Sequence, residues 1–268
     1  MNKANYYTAE SDWQYWSVSQ YKDFEKCEAA ATAKLKDEWK PSGSPEPLIV
    51  GNYVHSYFES KTAHKAFVAN NVGAIISKAG ATKGKPKKAY KQADMMIQTF
   101  ENDDFFNVVY QGEKEVPLEG TIFGVKWKGK LDCLNVKGQY FCDIKTVDDI
   151  CKRHWNNENR QWVSFVEDRE YIIQMAVYQE LLKQKYGKTF EPFIFAVSKQ
   201  DVPDKMAINI DQWKLDNALA QIETNVDHFN RVKNGQEEPK HCGKCEYCRM
   251  TKRLNGFTEV SDILDKER

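Results

Sequence analysis

Residues 129–146 run Gly129-Lys130-Leu131-Asp132-Cys133-Leu134-Asn135-Val136-Lys137-Gly138-Gln139-Tyr140-Phe141-Cys142-Asp143-Ile144-Lys145-Thr146. Two apolar stretches flank a polar, glycine-bearing centre, the pattern of paired strands joined by a turn. One β-hairpin then carries Asp132, Asp143 and Lys145. Alternate residues of a strand share a face, so Asp143 and Lys145 point the same way with Ile144 buried behind them. Two carboxylates and the backbone carbonyl of Ile144 are hard oxygen donors suited to a divalent ion, and such an ion lowers the pKa of an attacking water. The ammonium of Lys145 can orient that water or stabilise charge at a reacting phosphorus. The stretch therefore implies metal-assisted phosphodiester hydrolysis. Asp-x-Lys alone is common and more often marks a surface salt bridge; Asp132, at hairpin distance, sharpens the reading.

Outward from the hairpin, the chain reads as alternating helices and strands. Residues 17–35 have an amphipathic pattern with Ser17 or Ser19 as cap. Residues 47–59, 92–100, 165–186 and 211–232 also predict helices, and residues 192–197 predict a buried strand. From Glu113 onward Val116, Leu118, Ile122, Val125 and Trp127 alternate with polar residues, as a half-buried strand requires. This order predicts an α/β fold, a mixed central sheet flanked by helices, in a single domain over residues 1–268. Between Lys61 and Lys91 there is no acid but there are eight lysines. That run suits either a solvated loop or a flap over residues 61–92 that contacts phosphates through Lys83, Lys85, Lys87 and Lys88.

The 268 residues are 41% hydrophobic, enough for a sizeable core, and 39 basic residues balance 39 acidic ones. No global basic signal announces nucleic acid, although a carboxylate site would offset basic residues elsewhere. No apolar run is long enough to cross a bilayer, and no apolar signal core follows Met1, so a cytoplasmic protein without membrane contact is expected. There the seven cysteines are expected to be reduced, and clustered ones point to metal rather than disulfides.

Four blocks in order resemble the PD-(D/E)XK nuclease superfamily, in its RecB-like and RecE-like branch. They are Gly51 to His55 (Gly-x-x-x-His), Gly129 to Asp132 (Gly-x-x-Asp), Asp143 to Thr146 (Asp-x-Lys-Thr) and Gln174 to Tyr178 (Gln-x-x-x-Tyr). The resemblance implies a restriction-endonuclease-like core and Mg2+ or Mn2+ held by His55, Asp132, Asp143 and the Ile144 carbonyl. It also implies an additional acid before the hairpin, Glu115 in preference to Glu113, the two being expected on one strand face. Asp132, Asp143, Lys145, Gln174 and Tyr178 would be catalytic, with Thr146 and the flap lysines on DNA. Taken alone, His55 would more often be a packed helix histidine, and Gln174 and Tyr178 a polar stripe beside the core. The third block carries aspartate where glutamate is commoner; both coordinate metal.

Cys242, Cys245 and Cys248 stand at two-residue gaps, a soft-ligand set suited to iron–sulfur or zinc. With Cys27 they resemble the RecB-like nucleases that carry a 4Fe-4S cluster, including those of CRISPR adaptation. The likeness implies a cysteine subdomain built from residues 17–35 and 236–254. The gap before the last cysteine is shorter here than in those relatives, and Zn2+ is the alternative, with His241 able to act as fourth ligand. Cys133 and Cys142 read as small buried residues.

As a whole the resemblance implies a phage- or prophage-type DNA exonuclease, RecE-like, acting 5′ to 3′ from duplex ends. Its product strand would pass to a single-strand annealing protein, and a homo-oligomeric ring around DNA is implied too. A CRISPR-adaptation-like end-trimming nuclease, or a non-catalytic DNA-binding module that kept the fold, are the rival readings.

Overall fold

In a computed structural model, residues 5–157 and 159–260 are described; the ends of the expected 1–268 domain lie outside these. The N-terminal helices are α1 (Ala9–Gln14), α2 (Val18–Lys26) and α3 (Glu28–Leu35). Next come α4 (Glu46–Glu59), α5 (Lys61–Asn70), α6 (Val72–Ile75), α7 (Lys88–Glu101) and α8 (Asp104–Val109). Strands β1 (Glu113–Ile122), β2 (Val125–Asn135) and β3 (Tyr140–Val147) form a meander, and β4 (His154–Asn156) and β5 (Gln161–Val163) a small separate hairpin. The chain continues as α9 (Phe165–Asp168), α10 (Tyr171–Tyr186), β6 (Glu191–Ser198), β7 (Lys205–Asn209), α11 (Gln212–Lys233) and α12 (Glu246–Thr251).

The main sheet has the order β1-β2-β3-β6-β7. Every neighbouring pair is antiparallel except β3 and β6, which run parallel. A parallel pair needs a long crossover, and α9 and α10 lie within it. The sheet is the mixed one expected, and both faces are covered. On one face, Leu118, Trp127, Phe141 and Ile194 pack with Tyr21, Leu181 and Ile222 from α2, α10 and α11. On the other, Ile144, Phe195 and Val197 pack with Val54, Met96 and Phe106 from α4, α7 and α8.

Several boundaries differ from the sequence reading, each for a tertiary reason. The helix expected over 17–35 breaks at Cys27, whose backbone is extended (φ −170, ψ 108). The break turns the Cys27 sulfur toward Cys248. Ser17, not Ser19, caps α2 by accepting from the Gln20 amide. The helix expected over 165–186 divides where Glu170 adopts a left-handed conformation (φ 52). The segment expected as a flap, 61–92, is largely helical: it contains α5, α6 and the first turn of α7. Its irregular part, 77–87, is pinned by a bridge between Ile76 and Pro86 and by the Lys87 amide on the Ile75 carbonyl. The short elements α8, β4, β5 and β7 carry too few periodic positions to stand out in sequence.

Candidate active site

The site forms where β2 and β3 part. Their ladder pairs Asn135 with Tyr140, Leu134 with Phe141 and Cys133 with Cys142, then stops. The next residues in that register are Asp132 and Asp143. In place of a ladder bond, the Ile144 amide donates to Oδ2 of Asp132 (2.7 Å). Alternation also fails here: Leu131 and Leu134 pack on one face of the sheet while Cys133 packs on the other. Asp132 and Asp143 are both buried.

On the α4 side, Nδ1 of His55 lies 3.1 Å from Oδ2 of Asp132. Gly51, one helical turn earlier, faces Thr146: a side chain at that glycine would meet Oγ1 of Thr146 at 3.6 Å. Glu115, on β1, is buried and paired with Lys130 of β2. His55, Glu115 and Asp132 each present a donor atom, all within 4.8 Å of one another. Glu113 is exposed. The expectation that the two glutamates share one strand face fails because Glu115 sits at φ 55, which breaks the two-residue alternation.

Asp143 and Lys145 belong to the α10 side. The ammonium of Lys145 lies 2.6 Å from Oδ2 of Asp143 and donates to Oε1 of Gln174 (2.8 Å). Nε2 of Gln174 donates to Oδ1 of Asp143 (2.9 Å) and to the Tyr178 hydroxyl (3.2 Å). The Gln174 amide thus bridges both members of the ion pair and holds the lysine in place. Tyr171, absent from the sequence reading, lies beneath Lys145 with its ring centroid 4.5 Å from the ammonium, a cation–π contact. Its spacing was the available signal: Tyr171, Gln174 and Tyr178 fall three and four residues apart, on one helical face. Gly129 explains the second block, since a Cβ there would come within 2.5 Å of the Tyr178 ring.

The electrostatics follow from burial against pairing. Burial alone disfavours the Asp132 anion, but the neighbouring His55, Lys145 and Ile144 amide outweigh it and lower the pKa. For Asp143, burial together with repulsion from Asp132 prevails over Lys145, and the pKa rises. Burial opposes the cation at both His55 and Lys145. At His55 the Asp132 carboxylate prevails, and at Lys145 the Asp143 carboxylate does, so both pKa values rise. Glu115 is raised by burial, offset in part by Lys130.

The donor set fits a divalent cation. The buried Asp132 and Glu115 are hard oxygen ligands suited to magnesium or manganese, and His55 stands within 4.8 Å of them, whereas Asp143 is not in that group and pairs with Lys145. Oδ2 of Asp143 is buried and faces the Lys145 ammonium at 2.6 Å, a cation that meets the charge of this oxygen.

Two adjoining clefts lie beside the site, the first bordering it through Thr146 and Tyr171. One, of about 450 Å³, is lined by Thr146, Asp148, Lys152, Arg169, Tyr171 and Lys199 among others. The second, of about 590 Å³, shares Pro47, Asp148 and Lys199 with it and adds Lys87 and Lys88. Of the four flap lysines, Lys87 and Lys88 therefore reach a cleft wall, while Lys83 and Lys85 lie on the exposed turn beyond it.

Apart from this site, Cys27, Cys242, Cys245 and Cys248 converge, their sulfurs all within 4.8 Å of one another. The sulfur of Cys248 lies 3.6 Å from that of Cys27 and 3.9 Å from that of Cys242. Cys27 thus completes the group, and His241 contacts Cys248 through Nδ1 at 3.4 Å. Cys133 and Cys142 are buried cross-strand partners.

Residues 17–251 match the model of a family described as a PDDEXK-like domain of unknown function (DUF3799). The solved crystal structure of a "Putative exonuclease" from Eubacterium rectale is similar at a TM-score of 0.88, with 34% sequence identity over 98% of this chain and 97% of that one. The structure of SSO0001 matches at a TM-score of only 0.29, with 14% identity over 85% of this chain and 90% of that chain, too slight a likeness to bear on the fold. No curated protein matches. Among the described residues no helix is long and apolar enough to cross a membrane.

Proposed function

The chain belongs to the PDDEXK-like family DUF3799, and from that premise we propose that it is a metal-dependent DNA exonuclease of RecE-like type, degrading one strand of a duplex from its end in the 5′-to-3′ direction. One observation carries the reading: His55, Glu115 and Asp132 meet beside the ion pair of the buried Asp143 with Lys145, at the point where two strands part.

His55, Glu115, Asp132, Asp143 and the Ile144 carbonyl would hold Mg2+ or Mn2+. A divalent ion there supplies Lewis-acid polarisation of the phosphodiester and a more acidic water. The protein's own contribution is positional. Gln174 and Tyr171 hold the Lys145 ammonium against Asp143, where it can orient the attacking water and counter the charge that develops on the phosphate oxygens. Tyr178 steadies Gln174. Thr146, Lys87 and Lys88 border the clefts and would contact the DNA backbone, with Lys83 and Lys85 at the outer edge. Support for exonuclease action comes from the Eubacterium rectale neighbour, described as a "Putative exonuclease". The polarity, a single-strand annealing partner, a ring-shaped oligomer and a phage or prophage setting in a bacterial cytosol rest on the RecE-like resemblance alone.

The test uses end-labelled duplex DNA with Mg2+ or Mn2+. Wild-type protein is expected to release nucleotides from 5′ ends, and Asp143→Ala to lose cleavage while binding DNA with near-native affinity. Residual cleavage equal to wild type would reject the site. Degradation confined to single-stranded overhangs would favour the CRISPR-adaptation-like end trimmer.

A further inference from the structure

We propose that Cys27, Cys242, Cys245 and Cys248 hold one tetrahedral zinc ion, not the four-iron cluster that the cysteine layout suggests, and that this ion fastens the C-terminal segment to the break between α2 and α3. The sulfur separations decide nuclearity. Zinc–thiolate bonds of about 2.3 Å directed to the corners of a tetrahedron place the sulfurs about 3.8 Å apart. The observed separations of 3.6 and 3.9 Å lie on either side of that figure, and no pair exceeds 4.8 Å. A cubane binds each thiolate to a different iron and holds the sulfurs roughly 6 Å apart. Four sulfurs at these distances enclose room for one ion, not for four irons and four sulfides.

The surroundings suit a closed structural site. The amides of Cys245 and Cys248 point at the sulfurs of Cys242 (3.3 Å) and Cys245 (3.4 Å). A metal-bound thiolate can only accept, so Nδ1 of His241 donates to Cys248. These three donors offset the negative charge of a tetrathiolate site, as hydrogen bonds around bound ligands do. His241 stacks on Tyr247, and Tyr247 and Trp39 cover the group together with Ala29 and Ala30. Four protein ligands leave no open position, which makes the ion structural rather than catalytic. Its neighbours fasten the same two segments: the Ala29 amide donates to the Lys240 carbonyl (3.0 Å), and the Lys240 amide to Oε2 of Glu28 (2.9 Å). The extended backbone at Cys27 has its explanation here, since that conformation aims the sulfur at the C-terminal segment.

The test is elemental analysis of the full chain purified without oxygen or added metal, alongside its visible spectrum. One zinc per chain, no acid-labile sulfide and a colourless solution are expected. Exchange with Co2+ should give the intense visible bands of a tetrahedral tetrathiolate. Cys27→Ser should lose most of the bound metal, while Cys151→Ser, at an exposed cysteine outside the group, should keep all of it. Iron, whether one atom per chain or four with sulfide, overturns the proposal. So does a metal-free chain whose four thiols react freely in the folded state. None of these readouts depends on nuclease activity, so they stand apart from the test of Asp143.

Discussion

Lys145 is the residue whose environment is most specialised. It is half-buried, with a carboxylate on one side, a carboxamide on another and an aromatic face beneath it. Removing the ammonium removes a charge aimed at the reacting phosphate, so Lys145→Ala is expected to lower kcat about 100- to 10,000-fold. Gln174 acts through Lys145 and Asp143, and removal of such an orienting partner costs about 10- to 100-fold. If Gln174 serves only to hold that pair, its removal adds little in a background already lacking Lys145. Single-turnover rates of the two single mutants and the double mutant check this; full additivity would mean that Gln174 works independently.

Among the elements, β2 and α10 approach so closely that only a glycine fits between them. Gly129→Ala would drive a methyl group into the Tyr178 ring, 2.5 Å away. Overpacking of this kind costs about 1–3 kcal/mol, and the displaced ring should disturb Gln174 as well. The expected outcome is a lowered Tm together with reduced activity, measured by thermal unfolding and single-turnover cleavage. A second prediction concerns the contact between α2 and α11. Glu25 accepts from Nε2 of Gln221 (2.8 Å), and burial, then repulsion from Glu170, raises its pKa from 4.5 to about 7. A folded pKa above the unfolded one means that Glu25's stabilising contribution is complete below about pH 4.5 and is lost as pH rises through about 7. Glu25→Gln should therefore stabilise the protein at pH 8, by about 1 kcal/mol once its partial exposure is discounted, and make little difference at pH 4. Denaturant unfolding of both proteins at the two pH values checks the sign.

For the whole molecule, 39 basic residues balance 39 acidic ones, and two adjoining clefts share that mixture: Lys87, Lys88, Lys152, Arg169 and Lys199 line them together with Glu46, Asp148, Asp149 and Asp201. If these clefts carry the DNA backbone, Lys88→Glu with Lys199→Glu should weaken binding for all sequences alike. The salt dependence should flatten by about 0.9 in log–log slope for each phosphate that the protein no longer neutralises. Titrating labelled duplex across a range of salt, with Asp143→Ala as the background to prevent cleavage, measures both. An unchanged slope would place the DNA elsewhere.

The sequence by itself determined the longer helices, the strands β1 to β3 and β6, the mixed α/β class and the four blocks that gather at the site. Those properties are local: strand and helix periods, and short spacings such as Asp143 to Lys145 or Gln174 to Tyr178, follow from backbone geometry within a few residues. Tertiary structure decided which glutamate joins Asp132, because the choice depends on the left-handed backbone at Glu115. It likewise decided where the long helices break, since Cys27 leaves helical geometry to meet a cysteine more than two hundred residues away. Tyr171 beneath Lys145 and the narrow spacing of the four sulfurs belong to the same class. Each depends on separations between atoms remote in the chain, which only tertiary packing can set.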